Sequence, residues 1–478
     1  MDSSSSAAEA FSPSSSPPLH RHVVLFYRYF LPSSFNDVSE ETRNFLRDNS
    51  SYYLPLLQKH QSQLCRKLGR MKGRILISTE GINGTLSCST KEDLQEYIDS
   101  MEKFDLISDL GVPTHSAAAA PKSQNGRLFA NIDWKISTTA TDKETKEVMI
   151  DPFPDLKIRI VKEIVNTGAT VHVDDIPSDT GKEISAEEFH NILLEAQQHQ
   201  DQQQQSGVHP KKQKEIVLID VRNTFEYAIG HFVHPHPNGG VLDKNVSQSH
   251  CGNNDDVVDN KHDVSTYTSI NKAEATYTPA INPNTVTFSH FDSTFCSQYS
   301  ELLKDKQVLM YCTGGIRCVK ASAMLKQRGV QDVSHLSGGI HRYLEKYGND
   351  GFYKGRMFVF DQRIALDAKS ISLQNGGKEE EEIAALDSKK SNEPQREQKY
   401  VVGKCVECNI PFDEISGANL CTVCRDLILI CPSCRNNLHE FHCDRHQSWK
   451  HCYFTFIERY TPQELQLQQG KLQLLHDS

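Results

Sequence analysis

Short apolar runs with alternating polar positions begin at His22, after a polar start, and their spacing predicts elements before any chemistry is considered. His22 to Phe30 reads as a strand and Val38 to Gly69 as one or two helices. Arg74 to Ser78 and Thr85 to Cys88 read as a hairpin around Glu80-Gly81-Ile82-Asn83-Gly84, where Gly81 and Gly84 are expected to supply positive φ. Thr90 followed by Asp93 is a capping signature for a helix through Phe104, and Leu156 to Val161 supplies a later strand. The order β-α-β-β-α-β predicts a ferredoxin-like α+β sandwich over residues 22–175.

Beyond it, Ser185 with Glu188 predicts a short helix ending near Ala196, and Gln197 to Lys214 reads as a Gln-rich linker, so residues 176–213 are expected to join two domains. Residues 214–360 predict an α/β domain, opened by the apolar run Ile216 to Ile219. The polar stretch 233–285 inside it is expected to be a disordered insertion whose His234, His236, His250 and His262 are solvated. Residues 361–400, with Glu379 to Glu382, read as an acidic linker. Residues 401–455 are Cys-rich, and 1–21 and 456–478 are expected to be a disordered start and a tail.

The densest chemistry lies at Tyr311-Cys312-Thr313-Gly314-Gly315-Ile316-Arg317-Cys318. Val308-Leu309-Met310 before it reads as a buried strand; Cys318, Ala321 and Leu325 after it share one face of a helix stopped by Gly329. The loop is therefore a helix N-terminus. Free backbone N–H groups, with Arg317, can surround an anion there and lower the thiol pKa of Cys312 below its ordinary value of roughly 8.5. The alternative, a small buried hydrophobe, explains a cysteine but not the glycines and arginine beside it. Cys318 could resolve an oxidised or sulfur-loaded Cys312, but its place on the apolar face favours packing.

Eight of the fourteen cysteines lie between Cys405 and Cys452. Cys405, Cys408, Cys421, Cys424, Cys431 and Cys434 form three CxxC knuckles, and Cys443 and Cys452 complete a set sufficient for two structural zinc ions, with His439, His442, His446 and His451 as substitutes. Consecutive or alternating (cross-brace) pairing are both compatible with the spacing. A closed thiolate site stabilises a small fold or presents it to a protein partner.

Composition narrows the setting. A net charge of -10 gives no global basic footprint for nucleic acid, so RNA contact must be local. Lys157, Arg159 and Lys162 are candidate phosphate contacts, although their alternation also suits a solvated strand face, the preferred explanation. No apolar run reaches the ~18 residues of a membrane span, no secretory signal is recognisable, and no nucleotide-cofactor motif is present. Cytoplasmic residence is expected, with organellar targeting as the minority alternative.

The Cys312 to Arg317 loop resembles the active-site loop of rhodanese domains, in which the cysteine carries a persulfide. Ile216 to Arg222, Glu226-Tyr227, Gly230-His231-Phe232 and Leu336 to Ile340 resemble other rhodanese landmarks. The loop's six residues, Cys312, Thr313, Gly314, Gly315, Ile316 and Arg317, match sulfur-transferring rhodaneses rather than the longer phosphatase loop. Ser78 to Thr85, Phe153 to Arg159, Lys162 to Val165 and Phe358 to Arg363 extend the resemblance to the bacterial tRNA uridine hydroxylases and their eukaryotic relatives. That resemblance implies an acylphosphatase-like N-terminal domain, a doubly wound rhodanese-like domain, tRNA as partner, and addition of a hydroxyl to C5 of a wobble uridine using dioxygen with prephenate. Cys312 and Arg317 would be catalytic, with Asp220 and Arg222 orienting the loop. The alternatives are a sulfurtransferase using a small sulfur donor and a zinc-containing interaction protein.

Overall fold

The computed structural model describes residues 21–30, 47–105, 109, 128–139, 151–171, 180–206, 214–234, 277–372 and 401–450. Side chains of 199–206 are outside that description. Most of the predicted insertion (235–276, with His236, His250 and His262), most of the acidic linker (373–400) and Cys452 also lie outside the described residues.

Strand β1 (His22–Tyr29) alternates between two cores. Val24 and Phe26 face the helices Ser50–Lys67 and Lys91–Lys103, while Tyr27 and Tyr29 face the central domain. The second helix begins as its capping pair requires: Thr90 accepts from the Asp93 backbone N–H at 3.1 Å. The N-terminal sheet has five strands in the order β4-β1-β3-β2-β5, adding β2 (Lys72–Ser78), β3 (Gly81–Cys88), β4 (Lys135–Thr138) and β5 (Leu156–Ile160). The ferredoxin-like order is present, but its fourth strand is Lys135–Thr138. The predicted Leu156 strand is an extra edge, parallel to β2.

The hairpin turn is also tighter than expected. Ser78 pairs with Gly81, leaving Thr79-Glu80 as the turn, and Ile82, Asn83 and Gly84 continue the strand. Gly81 does take positive φ (153°); Gly84 does not, and is required because a Cβ there would lie 2.5 Å from the Phe26 ring.

The central sheet is parallel, in the order β6-β11-β10-β7, from β6 (Lys182–Ile184), β7 (Ile216–Asp220), β10 (Gln307–Tyr311) and β11 (Val333–Leu336). Its strands send alternate residues into two cores: Val217, Ile219, Val308 and Met310 on one face, Leu218, Leu309 and Tyr311 on the other. Helices cover both faces, as a doubly wound fold requires. The segment read as a linker is thus partly structural: β6 is the sheet's edge, and the following helix runs from Ala186 to Ser206 rather than stopping near Ala196.

The predicted insertion is ordered at both ends. Strands β8 (Gly230–His234) and β9 (Thr278–Pro279) pair directly, His234 is buried, and Ala280 donates to the Phe232 carbonyl at 2.9 Å. Strand β12 (Tyr353–Gly355) flanks β8. The start of the predicted acidic linker is packed as well. β13 (Met357–Phe358) pairs with β14 (Ala365–Leu366), and Ala368 and Ile371 are buried.

One buried cation ties the domains together. Lys320, on the helix Ile316–Gln327, is fully buried and lies 3.0 Å from Glu80 of the hairpin turn and 3.1 Å from Glu163. It also donates to the Val165 carbonyl at 3.1 Å. Burial raises the Glu80 pKa, and Lys320 opposes that rise. Lys320→Met should leave two carboxylates facing each other in a dry interface and cost about 3–5 kcal/mol. The loss should be larger at pH 8 than at pH 5, where protonation relieves the repulsion. Equilibrium unfolding at the two pH values checks this; equal midpoints for variant and wild type would contradict it.

Candidate active site and metal centres

The chain leaves β10 at Tyr311 and enters the helix at Ile316, so Cys312 to Gly315 must turn sharply between a buried strand and a helix start. Gly315, at φ 98°, makes the turn and directs its N–H at Cys312 Sγ, 3.1 Å away. Gly338 and Gly339 (φ 66° and 64°) allow the next loop to close on it. A Cβ at Gly339 would lie 2.4 Å from the Cys312 carbonyl, and the Ile340 and His341 N–H groups donate to the Cys312 and Thr313 carbonyls at 3.0 and 3.1 Å.

Cys312 is fully buried. Burial alone raises its pKa, but the Cys318 thiol hydrogen bond, the Arg317 charge and the N–H groups of Arg317 and Cys318 outweigh it, and the pKa is lowered to about 5. Cys318 is therefore both a core residue and a donor to Cys312, and its own pKa is raised by burial and then by that hydrogen bond. The other buried thiols outside the C-terminal module behave oppositely. Burial pushes Cys65 up to about 12 and Cys88 up to about 11, and raises Cys296.

The orienting carboxylate is not the expected one. Asp220 and Arg222 form a fully buried pair at 2.6 Å, and Arg222 also donates to the Gly230 carbonyl. Glu226 reaches the loop instead. Both its oxygens hold Arg317 (2.6 and 2.7 Å), one accepts from Thr313 Oγ1 at 3.5 Å, and the other accepts from the Asn223 N–H at 3.2 Å. Asp220 and Arg222 support this arrangement from behind: the Arg222 guanidinium lies 5.9 Å from the Tyr311 and Tyr353 ring centroids.

The N-terminal sheet roofs the loop. A Cβ on Gly314 would lie 3.0 Å from Leu25, one on Gly315 would lie 2.7 Å from the Tyr27 hydroxyl, and Tyr29 donates to the Ile316 carbonyl at 3.2 Å. Lys135 of β4 is buried over the Tyr27 ring, 5.1 Å from its centroid, and paired with Asp133 at 2.7 Å. Burial lowers its pKa, while Asp133 and, more weakly, Cys312 raise it. Tyr27 and Lys135 carry no sequence signal of their own. Both are strand residues whose importance comes from the face they occupy.

Lys157, Arg159 and Lys162 are exposed on and just beyond the β5 edge; Lys157 pairs with Asp155 at 3.4 Å.

In the C-terminal module, Cys405, Cys408, Cys431 and Cys434 form one set, and Cys421, Cys424, Cys443 and His446 the other, the donor atoms of each within 4.8 Å of one another. The pairing alternates along the chain, which selects the cross-brace. His446 takes the position expected of Cys452. Cys408 and Cys431 sulfurs are 3.7 Å apart, as are those of Cys424 and Cys443. That matches the roughly 3.8 Å sulfur separation of a tetrahedral ion with metal–sulfur bonds of about 2.3 Å. The donor sets therefore fit metal ions. Among the described residues no helix is long and apolar enough to cross a membrane.

Three segments match known families: residues 49–164 the UPF0176 acylphosphatase like domain, 269–346 the rhodanese-like domain, and 354–447 the rhodanase C-terminal region. Rhodanese-like domain-containing protein 6 of Arabidopsis thaliana is 29% identical over 416 residues, 86% of this chain; the chain spans 50% of that relative's length. A tRNA uridine(34) hydroxylase of Corynebacterium glutamicum is 26% identical over 81% of this chain and 87% of its own. One from Aster yellows witches'-broom phytoplasma is 29% identical over 66% and 76%.

The thiol hydrogen bond gives a testable pH dependence. Cys318→Ala removes a donor to the charged form, so the midpoint for alkylation of Cys312 should move up from about 5. Cys318→Ser, which keeps a donor, should move it less. Mass-spectrometric alkylation rates across pH 4 to 9 provide the readout; identical midpoints in wild type and Cys318→Ala would rule out the assignment.

Proposed function

We propose that this chain, whose segments match the UPF0176 acylphosphatase like domain and the rhodanese-like domain, modifies tRNA through Cys312, by 5-hydroxylation of a wobble uridine with dioxygen as the oxidant. One observation carries the proposal. The reactive loop is built jointly by both domains, and similarity to a tRNA uridine(34) hydroxylase extends over both. A sulfurtransferase loop alone would not require Leu25, Tyr27 and Lys135 above it.

In this reading Cys312, held ionised by the Cys318 thiol, the Arg317 charge and the loop N–H groups, is the reacting group. Arg317 is kept beside it by Glu226 and balances its charge. Lys157, Arg159 and Lys162 contact tRNA phosphates along the β5 edge. The proposed setting is the cytoplasm. The C-terminal sets hold two structural zinc ions, and the module they brace is available to a protein partner.

The six-residue loop and its Sγ-directed amide support a second reading, sulfur transfer. The Cys312 thiolate would attack the outer sulfur of thiosulfate, forming the S–S bond of a persulfide as sulfite leaves with the bonding electron pair. A nucleophilic acceptor would then take the sulfane sulfur and regenerate the thiolate.

Cells lacking the protein should lose a 5-hydroxyuridine-type nucleoside from the wobble position, and a Cys312→Ser gene should fail to restore it, as read by nucleoside mass spectrometry of tRNA. An unchanged profile, with efficient turnover of thiosulfate or mercaptopyruvate by the purified protein, would replace hydroxylation by sulfur transfer. Elemental analysis should find about two zinc ions per chain. Less than one, with the module's thiols freely titratable in the native protein, would refute the metal assignment.

A further inference from the structure

Phe360 is the most exposed of the large apolar side chains among the described residues, at 59%. Its position is nonetheless tightly held. It sits at the tip of the β13–β14 hairpin, where Val359 donates to the Ile364 carbonyl at 2.8 Å and Ile364 to the Asp361 carbonyl at 3.0 Å. The tip is also tied to the N-terminal domain. Gln362 N–H donates to the Pro152 carbonyl at 3.0 Å, and Arg363, paired with Asp361 at 2.6 Å, donates to Ser137 Oγ of β4 at 3.0 Å. Phe358 braces the ring edge-on at 5.1 Å. A water-exposed aromatic ring fixed by this many bonds is a preorganised contact surface rather than a side chain with nowhere to pack.

What surrounds the ring identifies its occupant. The Arg317 guanidinium of the Cys312 loop lies 5.6 Å from the Phe360 centroid, so the ring borders the reactive loop. Beside it is an open groove of about 710 Å³ lined by Arg74, Phe153, Pro154 and Gln362, with the Arg74 guanidinium 5.6 Å from the Phe153 ring centroid. Arg74 and Lys157 are register partners on β2 and β5, and Arg159 follows on the same edge. Asp155 is the carboxylate paired with Arg74 and Lys157, leaving an excess of positive charge. An exposed π face next to a cationic edge suits a ligand with flat rings and a polyanionic backbone. We propose that Phe360 is a stacking platform for an unpaired nucleobase of the RNA substrate, holding the loop of the RNA open beside Cys312. This rests on the tRNA reading above and assigns a residue of the site to it.

The test uses the full-length protein and a synthetic anticodon stem-loop carrying 2-aminopurine in its loop, with a fully paired RNA of equal length for comparison. Wild type should bind the stem-loop and quench the 2-aminopurine by stacking. Phe360→Ala should weaken stem-loop binding on the order of tenfold to a hundredfold and abolish the quench, with the paired RNA unaffected. Phe360→Trp should retain both, and Phe360→Leu, which keeps apolar volume without a ring, should lose the quench. Unchanged melting temperature and metal content establish that a variant is folded; should the alanine variant fail that check, the leucine and tryptophan pair decides. Equal quenching by wild type and the ringless variants would overturn the platform while leaving the tRNA reading intact. Failure of wild type to bind the stem-loop would overturn both.

Discussion

A buried thiolate is the constraint on which the rest of this structure depends. An anion removed from water is costly unless fixed donors replace the solvent, and Cys312 has no exposed surface. The loop supplies those donors at fixed positions: the Gly315 N–H, the Cys318 thiol, and the charge of Arg317. Arg317 could instead swing to solvent or collapse onto the sulfur. Glu226 prevents both with a bidentate grip, and is itself fully buried on the short helix Thr224–Ile229 that follows β7. The Cys318 thiol and then the Arg317 charge lower the Cys312 pKa most, and the Arg317 and Cys318 N–H groups add to them.

The second constraint follows from the first. A loop kept dry needs a lid, and β1 provides one by using both its faces, one for its own domain's core and one for the rhodanese-like loop. Lys320 holds that lid at the hairpin turn and at Glu163. Both carboxylates come from segments outside the rhodanese-like sheet, so the two domains behave as parts of one site. Lys135 extends the same logic, a desolvated cation placed above the thiolate by the adjacent strand β4.

Local chemistry was legible in the sequence and spatial convergence was not. The Cys312 to Arg317 stretch carries its own context, a strand before and a helix after, and the Thr90 cap and the CxxC knuckles are equally self-contained. Glu226 stood among the landmarks, but a carboxylate in a short helix gives no sign of which loop it will reach across 91 positions. Asp220 and Arg222, nearer in pattern to an orienting pair, satisfy each other instead. The strand Lys135–Thr138 carries no strand signal, because a buried lysine disguises its apolar alternation, and the sequence announces the edge strand β5 in its place. The cross-brace likewise depends on chain reversal: identical spacing allows both pairings, and only the fold brings Cys405 to Cys431 and Cys421 to His446. The fold class nonetheless followed from element order, because that order survives errors of a few residues at element ends.

The most direct test of the account is the absolute ionisation of Cys312. Thiolate absorbance near 240 nm, taken as the difference between wild type and Cys312→Ser in the metal-loaded protein, isolates this one sulfur. The account predicts a single ionisation with a midpoint near 5. A midpoint at the ordinary thiol value of roughly 8.5 would contradict it.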